Sequence, residues 1–153
     1  MNHLDLPGPF DAILVRQAIN YLMNYEGLVV GLRQIHRFLS PRGVLLFNAP
    51  NHQDGRQYAD RELVYEAGDY LVRLREMNVV EGRMLVHTQH CILYKQDGSE
   101  IRRMFDLNRF GLFTAAEFEA AAREAGFSTI EFYGKGLVQL TTESRSLYAV
   151  VTR

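Results

Sequence analysis

The hydrophobic pattern changes its period twice along the chain, and each change marks a different kind of element. Behind the turn residues Leu6-Pro7-Gly8-Pro9, the run Phe10-Asp11-Ala12-Ile13-Leu14-Val15 is short, apolar and bounded, as suits a strand buried on both faces of a parallel sheet. Leu28, Leu32, Ile35 and Leu39 then recur at helical spacing with Asn24 available as N-cap, which predicts an amphipathic helix over 25–39. Ser40-Pro41-Arg42-Gly43 stops that helix, and Val44-Leu45-Leu46-Phe47 supplies a second buried strand that ends at Asn48-Ala49-Pro50-Asn51-His52. Strand, helix and strand over so short a span predict a right-handed βαβ unit.

From 53 to 109 the chain is more polar and alternates with period two. Tyr70 to Met77, Met84 to Tyr94 and Glu100 to Leu107 read as half-exposed antiparallel strands. Val80-Glu81-Gly82 and Gln96-Asp97-Gly98-Ser99 supply the turns, the second with the Asp-Gly pair favoured in hairpins. This predicts a three-stranded meander, preceded by a short helix within 56–68. In the last block Thr114 and Glu117 form a capping box with Phe113 and Phe118 at the staple positions. A helix over Ala115 to Ala125 follows, closed by Gly126 in the left-handed conformation with Phe127 beside it. Ser128 to Tyr133 and Leu147 to Thr152 are the last strands. The fold class is α/β, a parallel sheet with an antiparallel finish and an inserted β meander, organised as blocks 1–52, 53–109 and 110–153 of one structural domain.

Composition narrows the function classes. Seventeen basic against eighteen acidic side chains leave a net charge of −1 over 153 residues, and no segment gathers the basic ones into a stripe that could track phosphates. Nucleic acid is therefore not an expected partner. The single cysteine, Cys91, excludes an internal disulfide and a thiolate metal cluster. The start MNHLDLPGPFD lacks the basic-then-apolar run of a signal peptide, and no apolar run approaches the ~20 residues of a membrane span. A cytoplasmic protein without a membrane partner is expected.

In order and spacing these pieces resemble the carboxy-terminal half of a class I S-adenosylmethionine-dependent methyltransferase of small-molecule type. The residues that carry the resemblance are Phe10-Asp11 and Ile13, Arg16-Gln17-Ala18-Ile19-Asn20-Tyr21-Leu22, the helix end Leu39 with Pro41-Arg42-Gly43, the strand Val44 to Phe47, and Phe113-Thr114 through Glu124-Ala125-Gly126-Phe127. Arg42 stands where the family usually has a second glycine. The resemblance implies a Rossmann-like sheet with the meander as a lid, S-adenosyl-L-methionine as cofactor and a small-molecule substrate.

One part of the family pattern is missing. No glycine cluster, including Gly134-Lys135-Gly136, follows a buried strand and opens a helix as a nucleotide loop does, and the ribose-holding acid is missing with it. The strand 10–15 should then have an unpaired apolar edge, and such an edge is a template for association. The expected partner is a separately encoded amino-terminal half, or a second copy through strand 10–15.

Methyl transfer needs alignment, exclusion of water and in some cases a base, so candidates belong at the carboxyl ends of strands. After the first strand come Arg16 and Gln17, which the resemblance sets near the methionine end of the cofactor, and Asn20 and Tyr21, near the acceptor; a solvated loop is the alternative. Asn48, Asn51 and His52 follow the second strand and suit either acceptor contacts, with His52 as a base, or Asx-turn chemistry around Pro50. His87 and His90, three apart on a strand, point to opposite faces and cannot share a metal ion. Either is a candidate base or an ordinary half-buried histidine. Tyr94, Arg103 and Arg109 are lid candidates, His36 reads as a surface residue, and Cys91 as a packing residue.

The leading expectation is a small-molecule methyltransferase present as an incomplete portion. The competing ones are a non-enzymatic partner-binding module, or remnant of a split enzyme, and a small-ligand binding domain without cofactor.

Overall fold

The computed structural model describes residues 7–53 and 57–153; Leu6 and residue 56, where two expected elements begin, lie outside them. The chain divides into two compact units, one built from residues up to 54 and from 111 onward, the other from 55–110.

The first unit holds a four-stranded sheet in the order β1-β2-β8-β7. β1 (Phe10–Val15) runs parallel to β2 (Leu39–Pro50), while β8 (Ser146–Thr152) is antiparallel to both β2 and β7 (Thr129–Tyr133). Between β1 and β2 lies α1 (Tyr25–Phe38), which starts where Asn24 Oδ1 accepts the Gly27 N–H. Leu39 ends α1 and begins β2 directly, so Ser40 to Gly43 do stop the helix, but as part of an extended strand. The pairing of β1 shifts there, from Phe10 with Leu39 to Ala12 with Val44, which bulges β2 outward.

α2 (Ala115–Ala125) forms as its caps require. Thr114 Oγ1 accepts the Glu117 N–H at 3.2 Å, Glu117 Oε2 accepts the Thr114 N–H at 2.7 Å, and the rings of Phe113 and Phe118 meet at 5.4 Å. Gly126 closes the helix at φ 102°, a conformation that penalises any Cβ. Leu28 and Leu32 of α1, with Phe118, Ala121 and Ala122 of α2, are buried together with Leu45, Phe47, Leu147 and Val151 of the sheet.

Two expectations about this unit are corrected. Neither strand 10–15 nor strand 44–47 is buried on both faces: Leu14 is 70% exposed and Leu46 38%, because the described helices cover only the face that carries Leu45, Phe47 and Ala49. His36 is not a surface residue. It is half-buried with its ring edge-on to Phe127 at 5.0 Å, and burial first, then the nearby Arg153 cation, holds its imidazole below the usual histidine range.

The second unit is an antiparallel sheet in the order β3-β4-β5-β6, namely Arg61–Ala67, Tyr70–Glu81, Met84–Lys95 and Glu100–Gly111, the last crossing into the first unit. The short helix expected within 56–68 is a strand instead. Leu63, Val64 and Tyr65 pair with Leu74, Arg73 and Val72, and cross-strand partners of this kind outweigh a weak local preference. Gly68-Asp69 makes the tight turn that joins it to β4, with Gly68 at φ 58°. The sheet therefore has four strands rather than three.

Candidate functional site

In the first unit, the polar groups lie at the carboxyl ends of the parallel strands β1 and β2. Directly after β1, Gln17 holds a left-handed backbone at φ 52°, and its N–H donates to Asn48 Oδ1 of β2 at 3.0 Å. A 3-10 helix, Ile19–Leu22, follows and ends at Met23, which is also left-handed at φ 44°. Two such residues within one short segment are strained, and strain of this kind gathers where a backbone is held for a purpose. Asn20, only 3% exposed, donates from Nδ2 to the Gly111 carbonyl at 2.7 Å, while its Oδ1 is buried without a hydrogen-bond partner among the described residues. An unsatisfied buried acceptor of this sort costs about 1–3 kcal/mol until a donor reaches it. Arg16, Gln17 and Tyr21 are exposed beside it.

Asn51 has a different part. It is fully buried, and its Nδ2 donates to the carbonyls of Thr141 at 3.0 Å and Ser144 at 2.8 Å. Both amide hydrogens thus fasten the connection that leads into β8. His52 is buried as well, its N–H donating to the Pro50 carbonyl at 3.0 Å.

The second unit sorts the remaining candidates onto two faces. Side chains alternate along a strand, and the register pairs Asn78 with His87 and Arg75 with His90. The His87 ring meets Phe110 at 6.2 Å, whereas the His90 ring meets Phe105 edge-on at 4.8 Å. By the same alternation Tyr94 and Arg103 share the His90 face, where Arg103 pairs with Glu100 at 2.9 Å. His87 shares its face with two internal pairs, Gln89 with Glu76 at 3.0 Å and Asn108 with Asp106 at 2.7 Å. Cys91 is half-buried. Among the described residues no group of His, Cys, Asp and Glu could hold a metal ion, and no helix is long and apolar enough to cross a membrane.

Sequence reasoning missed Asn78. Its Oδ1 accepts from His87 Nδ1 at 2.8 Å, and only the register of β4 against β5 brings the two together. The signal available was the hairpin turn at Gly82, from which that register can be counted outward.

No family model and no curated protein matches this chain. Solved structures do. CalS10, an amino pentose methyltransferase from Micromonospora echinaspora involved in calicheamicin biosynthesis and solved with bound SAM, is 21% identical at a TM-score of 0.78, over 99% of this chain and 61% of that one. DesVI from Streptomyces venezuelae is 21% identical at a TM-score of 0.79, over 96% and 60%. The sugar N-methyltransferase KedS8 from a Streptoalloteichus species is 21% identical at 0.77, over 99% and 59%. The fold is a methyltransferase fold. This chain spans about three-fifths of the length of those proteins. Within the methyltransferase fold, the strained segment after β1 and the Gln17–Asn48 link occupy the strand ends at which open α/β sheets receive ligands.

Proposed function

We propose that this chain is the acceptor-binding portion of an S-adenosylmethionine-dependent methyltransferase acting on a small molecule. The observation that carries the reading is the match of nearly its whole length to CalS10, a SAM-bound methyltransferase. The residues present fit one side of such a cofactor. Arg16 and Gln17 stand exposed at the end of β1 to meet its methionine end.

When bound, the cofactor supplies an electrophilic methyl group on a sulfonium. The chain's own residues bind and orient the acceptor: Asn20 Oδ1 accepts from its N–H or O–H, Tyr21 covers it, and Asn48 holds the backbone of Gln17 in place. Asn51 fixes the 141–145 backbone and leaves acceptor contact to its neighbours. A glycine-rich loop and a ribose-holding acid come from outside these residues, on structure that adds to the outer edge of β1, beside the exposed Leu14 and Leu46. The open edge also favours a second reading, a partner-binding module without activity.

Calorimetric titration with S-adenosylmethionine and S-adenosylhomocysteine separates the two. The chain alone should bind neither at micromolar concentration. Combined with a polypeptide that carries the glycine loop, it should bind both and methylate an amine-bearing sugar, with Asn20→Ala lowering turnover about tenfold, or ~1.4 kcal/mol, while the fold is kept. Absence of binding in the combination leaves only the module reading.

A further inference from the structure

After β7 the chain turns back on itself before it enters β8. The Leu137 N–H donates to the Gly134 carbonyl at 3.1 Å and the Gly134 N–H to the Val138 carbonyl at 2.7 Å, which closes a tight loop over 134–138. Gly136 takes a positive φ of 81° without penalty, but Leu137 is left-handed too, at φ 59°, where its Cβ crowds the following carbonyl. Leu137 is also 68% exposed and Val138 59%. The tip is therefore unfavourable twice over, in backbone strain and in apolar surface left in water, and glycine or asparagine at 137 would remove both penalties. Both legs of the loop are fastened. Tyr133 bridges Gln139, Leu140 packs against the core, and Asn51 holds the Thr141 and Ser144 carbonyls.

Because β8 is antiparallel to both β2 and β7, β7 ends at the same end of the sheet as β1 and β2. The register sets Asn48, Tyr148 and Tyr133 in one row across three strands. At about 4.8 Å per strand, Tyr133 stands roughly 10 Å from Asn48, whose Oδ1 receives the Gln17 N–H. Leu137 and Val138 are far too small a patch for a protein interface, which takes about 20–30 residues a side, but they suffice as one wall of a small-molecule site. We propose that Leu137 and Val138 are specificity-determining residues that hold an apolar arm of the methyl acceptor, an arm that reaches roughly 10 Å along the strand ends from the group being methylated. The contact rests on the methyltransferase reading; the strain at Leu137 does not.

In the full chain, Leu137→Asn should raise the thermal midpoint by about 2 °C, since asparagine accepts the left-handed backbone. A fall in the midpoint overturns the strain, and with it the reason for assigning the tip a contact. In the methylating combination, the hexyl glycoside of an amino sugar should show a KM about tenfold below that of the methyl glycoside, as about two buried methylene groups provide. Leu137→Asn should reduce that preference to less than about twofold, and Leu137→Met, which keeps an apolar side chain, should retain it; titration with S-adenosylhomocysteine reports whether each variant still binds cofactor. A parent without the preference, or a preference that survives in Leu137→Asn, overturns the contact while methyl transfer stands. A parent that transfers no methyl group overturns the contact together with the enzymatic reading, and leaves the thermal result in force.

Discussion

Phe118, Leu28, Leu32, Leu45 and Val151 are wholly out of water in the first unit, whereas Leu85, at 6% exposure, is the most buried described side chain of the second. The first unit is held by helices pressed on one face of a sheet, where apolar burial dominates. The second is held by its ladder of backbone hydrogen bonds and by cross-strand pairs such as Gln89 with Glu76. Polar chemistry is therefore easier to carry on the half-open sheet than inside the packed unit. A close-packed interior tolerates few polar groups, and the one buried side-chain acceptor left unsatisfied among the described residues, Asn20 Oδ1, sits at a strand end rather than under the helices. The meander, with both faces half-open, carries His87, His90, Tyr94 and Arg103 without a burial cost.

The sharpest way to break this contrast is Phe118→Ala. It removes the ring that joins α2 to Phe47 at 5.1 Å and to Phe113, and it should cost about 3–5 kcal/mol in chemical denaturation. A loss below about 1 kcal/mol would mean that the first unit is not core-driven. Leu85→Ala should cost less, about 1–3 kcal/mol given its half-open surroundings, and should speed amide exchange in β5 while β8 stays protected. Equal loss of protection in both strands would merge the two units into one cooperative body. The smallest effect is that of His36. Its folded imidazole is held below the usual value, so the folded state binds fewer protons than the unfolded one. Stability is then complete above the ordinary histidine value of about 6.5 and declines as pH falls toward and through the lowered one. Denaturation midpoints of the parent should drop on acidification from pH 7 more steeply than those of His36→Leu, and parallel profiles would assign the drop to other groups.

Local signals made most of the first unit legible. Asn24, Thr114, Glu117 and Gly126 stand within a few residues of the helix ends they cap, so their spacing alone predicts α1 and α2. The exposure of Leu14 could not be read this way, because it depends on what covers the far face of the sheet. Leu63 to Ala67 misled for a related reason: the segment is too short for a reliable period, and its partner β4 decides its form. Among the candidate site residues, Arg16, Gln17, Asn20 and Asn48 were placed by the rule that ligands meet strand ends, but the strain at Gln17 and the orphaned oxygen of Asn20 are properties of the folded backbone. Asn78 was invisible for the same reason as β3, since a cross-strand neighbour exists only once the register is set.

Asn51 offers a lesson in chemical ageing. Deamidation exchanges one nitrogen for one oxygen and leaves the shape of the side chain unchanged. At Asn51 that exchange would remove both donors that meet the Thr141 and Ser144 carbonyls and aim an anion at two backbone oxygens, unfastening the connection into β8. A sample deamidated at Asn51 would lose this fastening while the bond from the Asn51 N–H to the Arg145 carbonyl at 3.1 Å stays, and a mass shift of one dalton would mark it.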